Sequence, residues 1–156
     1  MKRLRWSSFA VVLLVGCGGT PQPPTAAHKA SAERFLQGVY GGDDSVIQEL
    51  ASADIVVSYP AFTIRGMDGV RELSKSFADG CDDYRTTIHE TIAEGDRVVL
   101  VWSGRGRCAA SDGSNPEVRE EVSMGGITVY EFDTNGKIVR ELGEDSMPGP
   151  YGRLSN

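Results

Sequence analysis

Apolar residues first recur at helical spacing between Ala30 and Gly41, where Ala32, Phe35, Leu36, Val39 and Tyr40 make one stripe and Gly41-Gly42 ends it. Asp43 or Asp44 can cap a second, shorter helix carrying Val46, Ile47 and Leu50. The period then changes. Ile55-Val56-Val57-Ser58-Tyr59 is rich in strand formers and stops at Pro60. After Gly66, the residues Val70, Leu73 and Phe77 fall on one face of a third helix that Gly80 terminates. Asp83 to Ala93 and Arg97 to Cys108 read as strands flanking a Glu94-Gly95-Asp96 turn, and the second contains the buried-strand run Val98-Val99-Leu100-Val101-Trp102. A polar loop (Ala109 to Glu117) leads to a long strand through Ile127, Val129, Tyr130 and Phe132. Asn135-Gly136 supplies the positive φ of a hairpin turn, and Lys137 to Glu144 forms the last strand. Helices first and a long antiparallel meander afterwards make an α+β domain, most economically one curled sheet wrapped by three helices.

The amino terminus follows another pattern. Met1-Lys2-Arg3-Leu4-Arg5 is cationic, Phe9 to Val15 is a short apolar run, and Gly16-Cys17-Gly18-Gly19 follows. A charged start, a short apolar stretch and a small residue at the cut site make an export signal over residues 1–16. The run is too short to span a bilayer, which takes about 20 apolar residues. Leu14-Val15-Gly16-Cys17 resembles the bacterial lipobox, which implies cleavage before Cys17 and lipidation of its thiol. Acyl chains bury roughly 0.8 kcal/mol per methylene, so a multiply acylated Cys17 would anchor the chain to a membrane. Residues 17–29, containing Thr20-Pro21-Gln22-Pro23-Pro24-Thr25, read as a stiff polar tether whose prolines block a helix, and residues 30–154 as the folded domain. The expected location is the bacterial cell envelope. Gly18, rather than Asp, after the lipidated Cys implies the outer membrane in a host that has one.

Charge narrows the partners. A net charge of -6 without a basic cluster argues against nucleic acid, whose affinity comes largely from Lys and Arg against phosphate. Cleavage would remove Lys2, Arg3 and Arg5 and leave the mature form more acidic still. Of 3 cysteines, lipidation would use Cys17, leaving Cys81 and Cys108 as an even pair in an oxidising compartment. In a hairpin about Glu94-Gly95-Asp96, Cys108 falls opposite Asp83 or Cys81, depending on the turn register. Either way Cys81 is a direct or diagonal neighbour, within or close to disulfide reach, and the bond would staple the open end of the hairpin. The alternative is two separate thiols.

Several stretches together resemble the SnoaL-like branch of the nuclear transport factor 2-like superfamily. They are Asp54-Ile55-Val56-Val57-Ser58-Tyr59-Pro60, Gly66 through Phe77, Ile92-Ala93-Glu94-Gly95-Asp96-Arg97-Val98, and Gly126 through Val139. The likeness covers roughly residues 30–154. It implies a cone-shaped, curved antiparallel sheet closed by helices (a cystatin-like α+β barrel), a central pocket and frequently a homodimer. It implies function poorly, because cyclases, isomerases, hydrolases and non-catalytic binders share this fold.

SnoaL-like cyclases carry an acidic residue on the last strand, where it transfers protons at a carbon beside a carbonyl. Counting from Gly136-Lys137-Ile138, and back from Tyr151-Gly152-Arg153-Leu154, the matching position is Ser146, which cannot act as a carboxylate base. If Ser146 faces the pocket, strand alternation gives Leu142 and Glu144 the same face and excludes Asp145. A bulge or strand end near Pro148 could bring Asp145 in. Glu144 and Asp145 are therefore the two candidate bases. A second departure is that the family often has an Arg before the Trp and a His six residues beyond it, where this chain has Val101 and Cys108. Tyr59, Phe62, Trp102 and Tyr130 are candidate pocket walls, offering apolar area with one polar handle on Tyr and Trp. Arg105-Gly106-Arg107 could grip an anion, although a solvated strand edge is the commoner role. His28 and His89 read as exposed, and no His/Cys/Asp/Glu group has metal-ligand spacing. No metal and no cofactor is expected.

The reading that follows is a lipid-anchored domain binding a small organic molecule in an apolar pocket, without strong catalysis. An isomerase or cyclase using Glu144 or Asp145 as general base is the first alternative. An envelope protein-interaction module using an exposed sheet face is the second.

Overall fold

The computed structural model describes residues 24–109 and 118–146. The expected export signal, Cys17, the expected tether up to residue 23, residues 110–117 and the side chain of Ser146 lie outside the described residues.

Helix α1 (Pro24–Gly41) starts inside the stretch expected to be tether. Proline is at home in a first helical turn, where its missing N–H would have had no partner. His28 is correspondingly not exposed: its ring stacks on Phe132 with centroids 4.3 Å apart. Helix α2 (Asp44–Leu50) is capped by Asp43, whose carboxylate accepts the N–H groups of Ser45 and Val46. Strands β1 (Ala51–Tyr59) and β2 (Phe62–Arg65) form a short hairpin, and α3 (Met67–Gly80) follows. The meander is β3 (Cys81–Glu94), β4 (Arg97–Ala109), β5 (Arg119–Phe132) and β6 (Ile138–Ser146). In the turn before β6 the Asp133 carboxylate accepts the N–H groups of Asn135 and Lys137, while Gly136 takes φ 77°.

The six strands lie in the order β2-β1-β6-β5-β4-β3. The sheet is mixed, not wholly antiparallel, because β1 and β6 pair in parallel. Helix α3 carries the chain to the far edge, and the meander returns β6 alongside β1. The helices cover one face, and the core joins Phe35 and Leu36 of α1 and Ile47 of α2 to Val98, Leu100, Trp102, Phe132 and Ile138 of the sheet. The result is the α+β domain that the alternation of periods predicted, with the curved, helix-closed sheet that the SnoaL-like resemblance implied.

Two bulges in β3 decide the cysteine register. Beside the turn Glu94 faces Arg97, beyond His89 the pairing becomes Ile88 with Trp102, and beyond Asp83 it becomes Asp82 with Arg107. Each step adds one residue to β3, so Cys81 stands directly opposite Cys108, and a disulfide joins them. Asp83 takes a left-handed conformation (φ 53°) within the second bulge. That bulge turns Tyr84 inward, over Gly104 and Gly106: a Cβ at residue 104 would lie 2.2 Å from Tyr84 Oη.

Candidate functional site

Between the helices and the inner sheet face lies a cavity of about 200 Å³. Tyr59 of β1 and Phe62 of β2 stack on each other at its sheet side, 5.2 Å between centroids. Tyr40 of α1 and Phe77 of α3 meet edge-to-face at 4.8 Å on its helix side. Leu36, Leu73 and Met124 add aliphatic surface, Tyr130 comes from β5, and Glu141 and Asp145 come from β6.

Of the six residues expected to line a pocket, Tyr59, Phe62 and Tyr130 do so. Trp102 does not. It is fully buried behind Tyr40 (5.0 Å between rings), and its indole N–H donates to Thr128 Oγ1 at 3.0 Å, which makes it core. Leu142 and Glu144 are also corrected. Both lie on the other face of β6, Leu142 half-buried and Glu144 exposed, because the pleat turns Glu141, Gly143 and Asp145 inward. Asp145 thus reaches the cavity by plain alternation and Glu144 does not. The phase taken from Ser146 was off by one residue. A one-residue slip exchanges the two faces of a strand completely.

That phase error concealed Glu141, which sequence reasoning did not single out. Glu141 and Asp145 are four residues apart on one strand and so share a face, with Gly143 between them. The glycine matters because the Tyr59 ring lies over it: a Cβ there would sit 2.1 Å from Tyr59 Cε1. This close approach lets the Tyr59 hydroxyl donate to Glu141 Oε1 at 2.7 Å. An acid, a small residue and a second acid in alternation was the available signal.

The electrostatics follow from burial. Glu141 is 6% exposed, and desolvation pushes its carboxyl up to about 7, although the Tyr59 hydrogen bond works in the opposite direction. Asp145, nearer solvent, is raised by burial and then by repulsion from Glu144. Tyr40, Tyr59 and Tyr130 are all raised, first by burial and next by the Glu141 charge. Tyr84, packed against Tyr40 and Phe77, is raised by burial and then by Asp145. Tyr130 Oη is buried with no hydrogen-bond partner. Leaving such a hydroxyl unpaired costs about 1–3 kcal/mol, so the site favours any molecule bringing it a polar atom. A carboxyl that titrates near neutrality can both give and take a proton at physiological pH. No Lys, Arg or His lines the cavity among the described residues, and none of their His, Cys, Asp and Glu side chains gather in threes as metal ligands would.

Arg105 and Arg107 of the anion-gripping motif lie on the outer sheet face, away from this cavity, with Arg85 paired across from Arg105. His89, at the first β3 bulge, hydrogen-bonds Ser103 Oγ at 2.7 Å through Nε2.

Comparison with known proteins gives a consistent family and several folds of the same kind. The family profile described as SnoaL-like domain matches residues 32–141. A protein assigned as a SnoaL-like polyketide cyclase from Shewanella denitrificans superposes with a TM-score of 0.69 at 14% identity, covering 82% of this chain and 96% of its own. An LEH-like epoxide hydrolase from M. tuberculosis gives 0.65 at 19% identity over 85% and 92% of the two chains. TsrD from Streptomyces laurentii gives 0.67 at 22% identity over 83% and 95%. At these identities the likeness is one of fold. No curated protein sequence matches the chain.

Proposed function

The chain belongs to the SnoaL-like domain family, and from that premise we propose that its cone binds one small, mostly apolar organic molecule and transfers a proton on it through Glu141. The observation that carries this reading is a carboxyl buried in an aromatic cavity, held by Tyr59 and poised near pH 7. Glu141 takes the role first assigned to Glu144 or Asp145. Asp145, closer to solvent, is suited to relaying the proton outward. The cavity, at about 200 Å³, lies below the usual range of ligand sites, about 300–1,000 Å³, so the molecule is small.

Export and anchoring belong to the same proposal. A signal over residues 1–16 and a lipidated Cys17 would hold the domain at the envelope, where an oxidising compartment suits the Cys81–Cys108 bond. A second copy is proposed for the outer sheet face, where Ile92 and Ile127 stand 56% and 43% exposed beside half-buried Val99, Val101, Val129 and Leu142.

Native mass spectrometry of the chain, exported to an oxidising compartment, tests binding, and deuterium uptake by a panel of small ketones in D₂O tests proton transfer. The expected result is a retained mass lost on denaturation, and carbon-bound deuterium that appears with the native chain and not with Glu141→Gln. Retained ligand without exchange would leave a binder. A bare mass with no exchange above buffer would overturn both parts.

A further inference from the structure

The cavity is made of rings and acids. Tyr40, Tyr59, Phe62, Phe77 and Tyr130 supply aromatic wall, and Glu141 and Asp145 are the charged side chains that line it among the described residues. Aromatic faces carry negative charge density and attract a cation held within about 6 Å of the ring centroid. A carboxylate in such surroundings gains most from a positive partner, because little water is there to screen it. Among the described residues no Lys, Arg or His lines the cavity to serve as that partner. An anionic ligand would add a like charge to Glu141 and Asp145, and a neutral one would leave their charge uncompensated.

We propose that the ligand is a small organic cation, a quaternary or protonated amine with an apolar body, whose charged head sits among Tyr40, Tyr59 and Tyr130 against Glu141. The half-buried Asp145 and the 40%-exposed Phe62 lie on the solvent side and guide it in. In a protonated amine, an N–H also gives the unpaired Tyr130 Oη a hydrogen to accept. This inference rests on the reading of the cavity as a ligand site and is independent of proton transfer.

Binding couples to protonation. A cation beside Glu141 favours its ionised form, so the carboxyl proton leaves to solvent as the ligand enters. The groups facing Glu141 are Tyr59 from β1, Tyr40 from α1, Tyr130 from β5 and Asp145 from its own strand, while α3 presents Val70, Leu73 and Phe77, which do not titrate. The phenols are raised and stay neutral through pH 8, and burial, then the Glu144 charge, raises Asp145 as well. Glu141 is therefore the group that gains charge as pH rises through about 7, and cation affinity rises with it.

The test is calorimetric titration of the full chain with choline and with 3,3-dimethylbutan-1-ol, its isostere with carbon in place of the cationic nitrogen. Neither probe titrates between pH 5 and 8, so any pH dependence belongs to the protein. Choline is expected to bind ~10-fold or more tightly than the alcohol at pH 8, with the preference shrinking towards pH 5. Titrations at pH 7 in buffers of different ionisation enthalpy should report release of roughly half a proton per choline. Glu141→Gln is expected to bind choline more weakly at pH 8 and to lose the part of the pH dependence centred near 7, and Asp145→Asn to weaken choline at pH 8. Equal binding of the two probes by the native chain at pH 8, or a preference that stays flat with pH, overturns the charge inference and leaves the pocket reading standing. Binding of neither probe counts against both.

Discussion

The two ends of the cone are built from the same strands and differ in what fills them. At the end bearing the Glu94–Asp96 and Asp133–Gly136 turns, the inward residues are Val98, Leu100, Phe132 and Ile138, none more than 4% exposed, packed under Phe35 and Leu36. At the other end the inward positions of β4 to β6 include Gly104, Gly106, Gly126 and Gly143, and large rings lie over three of these glycines. Tyr84 lies over Gly104 and Gly106, and Tyr59 over Gly143. Branched aliphatic side chains interdigitate at the closed end, whereas at the open end rings occupy the space that a Cβ would take. The open end is thus written as glycines with rings over them, of which Tyr59 lines the cavity and Tyr84 packs beside it. Glu141 and Asp145 line the cavity at this end, and the Cys81–Cys108 bond closes the sheet edge there.

Breaking the filled end should cost the most. Phe35 is fully buried and meets Tyr130 edge-on at 5.7 Å between centroids. Phe35→Ala is expected to destabilise the fold by about 3–5 kcal/mol in urea titration. A loss below 1 kcal/mol would mean that the closed end is no better packed than the open one.

At the open end, Glu141→Gln should act in the opposite direction. The folded-state pKa of Glu141 lies above its ordinary value of 4.5, at about 7, so its contribution favours the fold fully below pH 4.5 and is lost as pH rises through 7. Removing the charge should therefore stabilise the chain by on the order of 3 kcal/mol at pH 8 and by little at pH 4.5. Denaturation midpoints of both forms across that range check it. An unchanged difference between the two pH values would show that the carboxyl is not desolvated. The smallest effect belongs to Phe62→Ala, where a 40%-exposed ring at the cavity edge is lost: under about 1 kcal/mol of stability, with weaker uptake of a small apolar fluorophore. A full core-sized loss there would erase the distinction between the ends.

Much of this architecture is legible in one dimension. The α1 stripe of Ala32, Phe35 and Leu36, the face of α3 that includes Val70, and the Asn135-Gly136 turn all stand where periodicity and turn chemistry put them. These signals are local, since a helix or a two-residue turn depends on neighbours a few positions away. The parallel meeting of β1 and β6 carries no local mark, because it is settled by the path of the chain around the sheet. The start of α1 at Pro24 departs from the expected tether for a different reason: proline marks both extended chain and the first turn of a helix.

The site divides along the same line. From the sequence alone came the α+β cone, the SnoaL-like resemblance, three of the aromatic walls, Asp145 as one of two possible acids, and Cys81 as one of two registers for Cys108. The tertiary structure decided the rest. Two one-residue bulges brought Cys81 opposite Cys108, and the phase of β6 moved Leu142 and Glu144 outward and brought Glu141 in. Alternation states which residues share a face but not which face is inside. That choice is made only when β6 pairs with β5 and β1 and the helices close over one side.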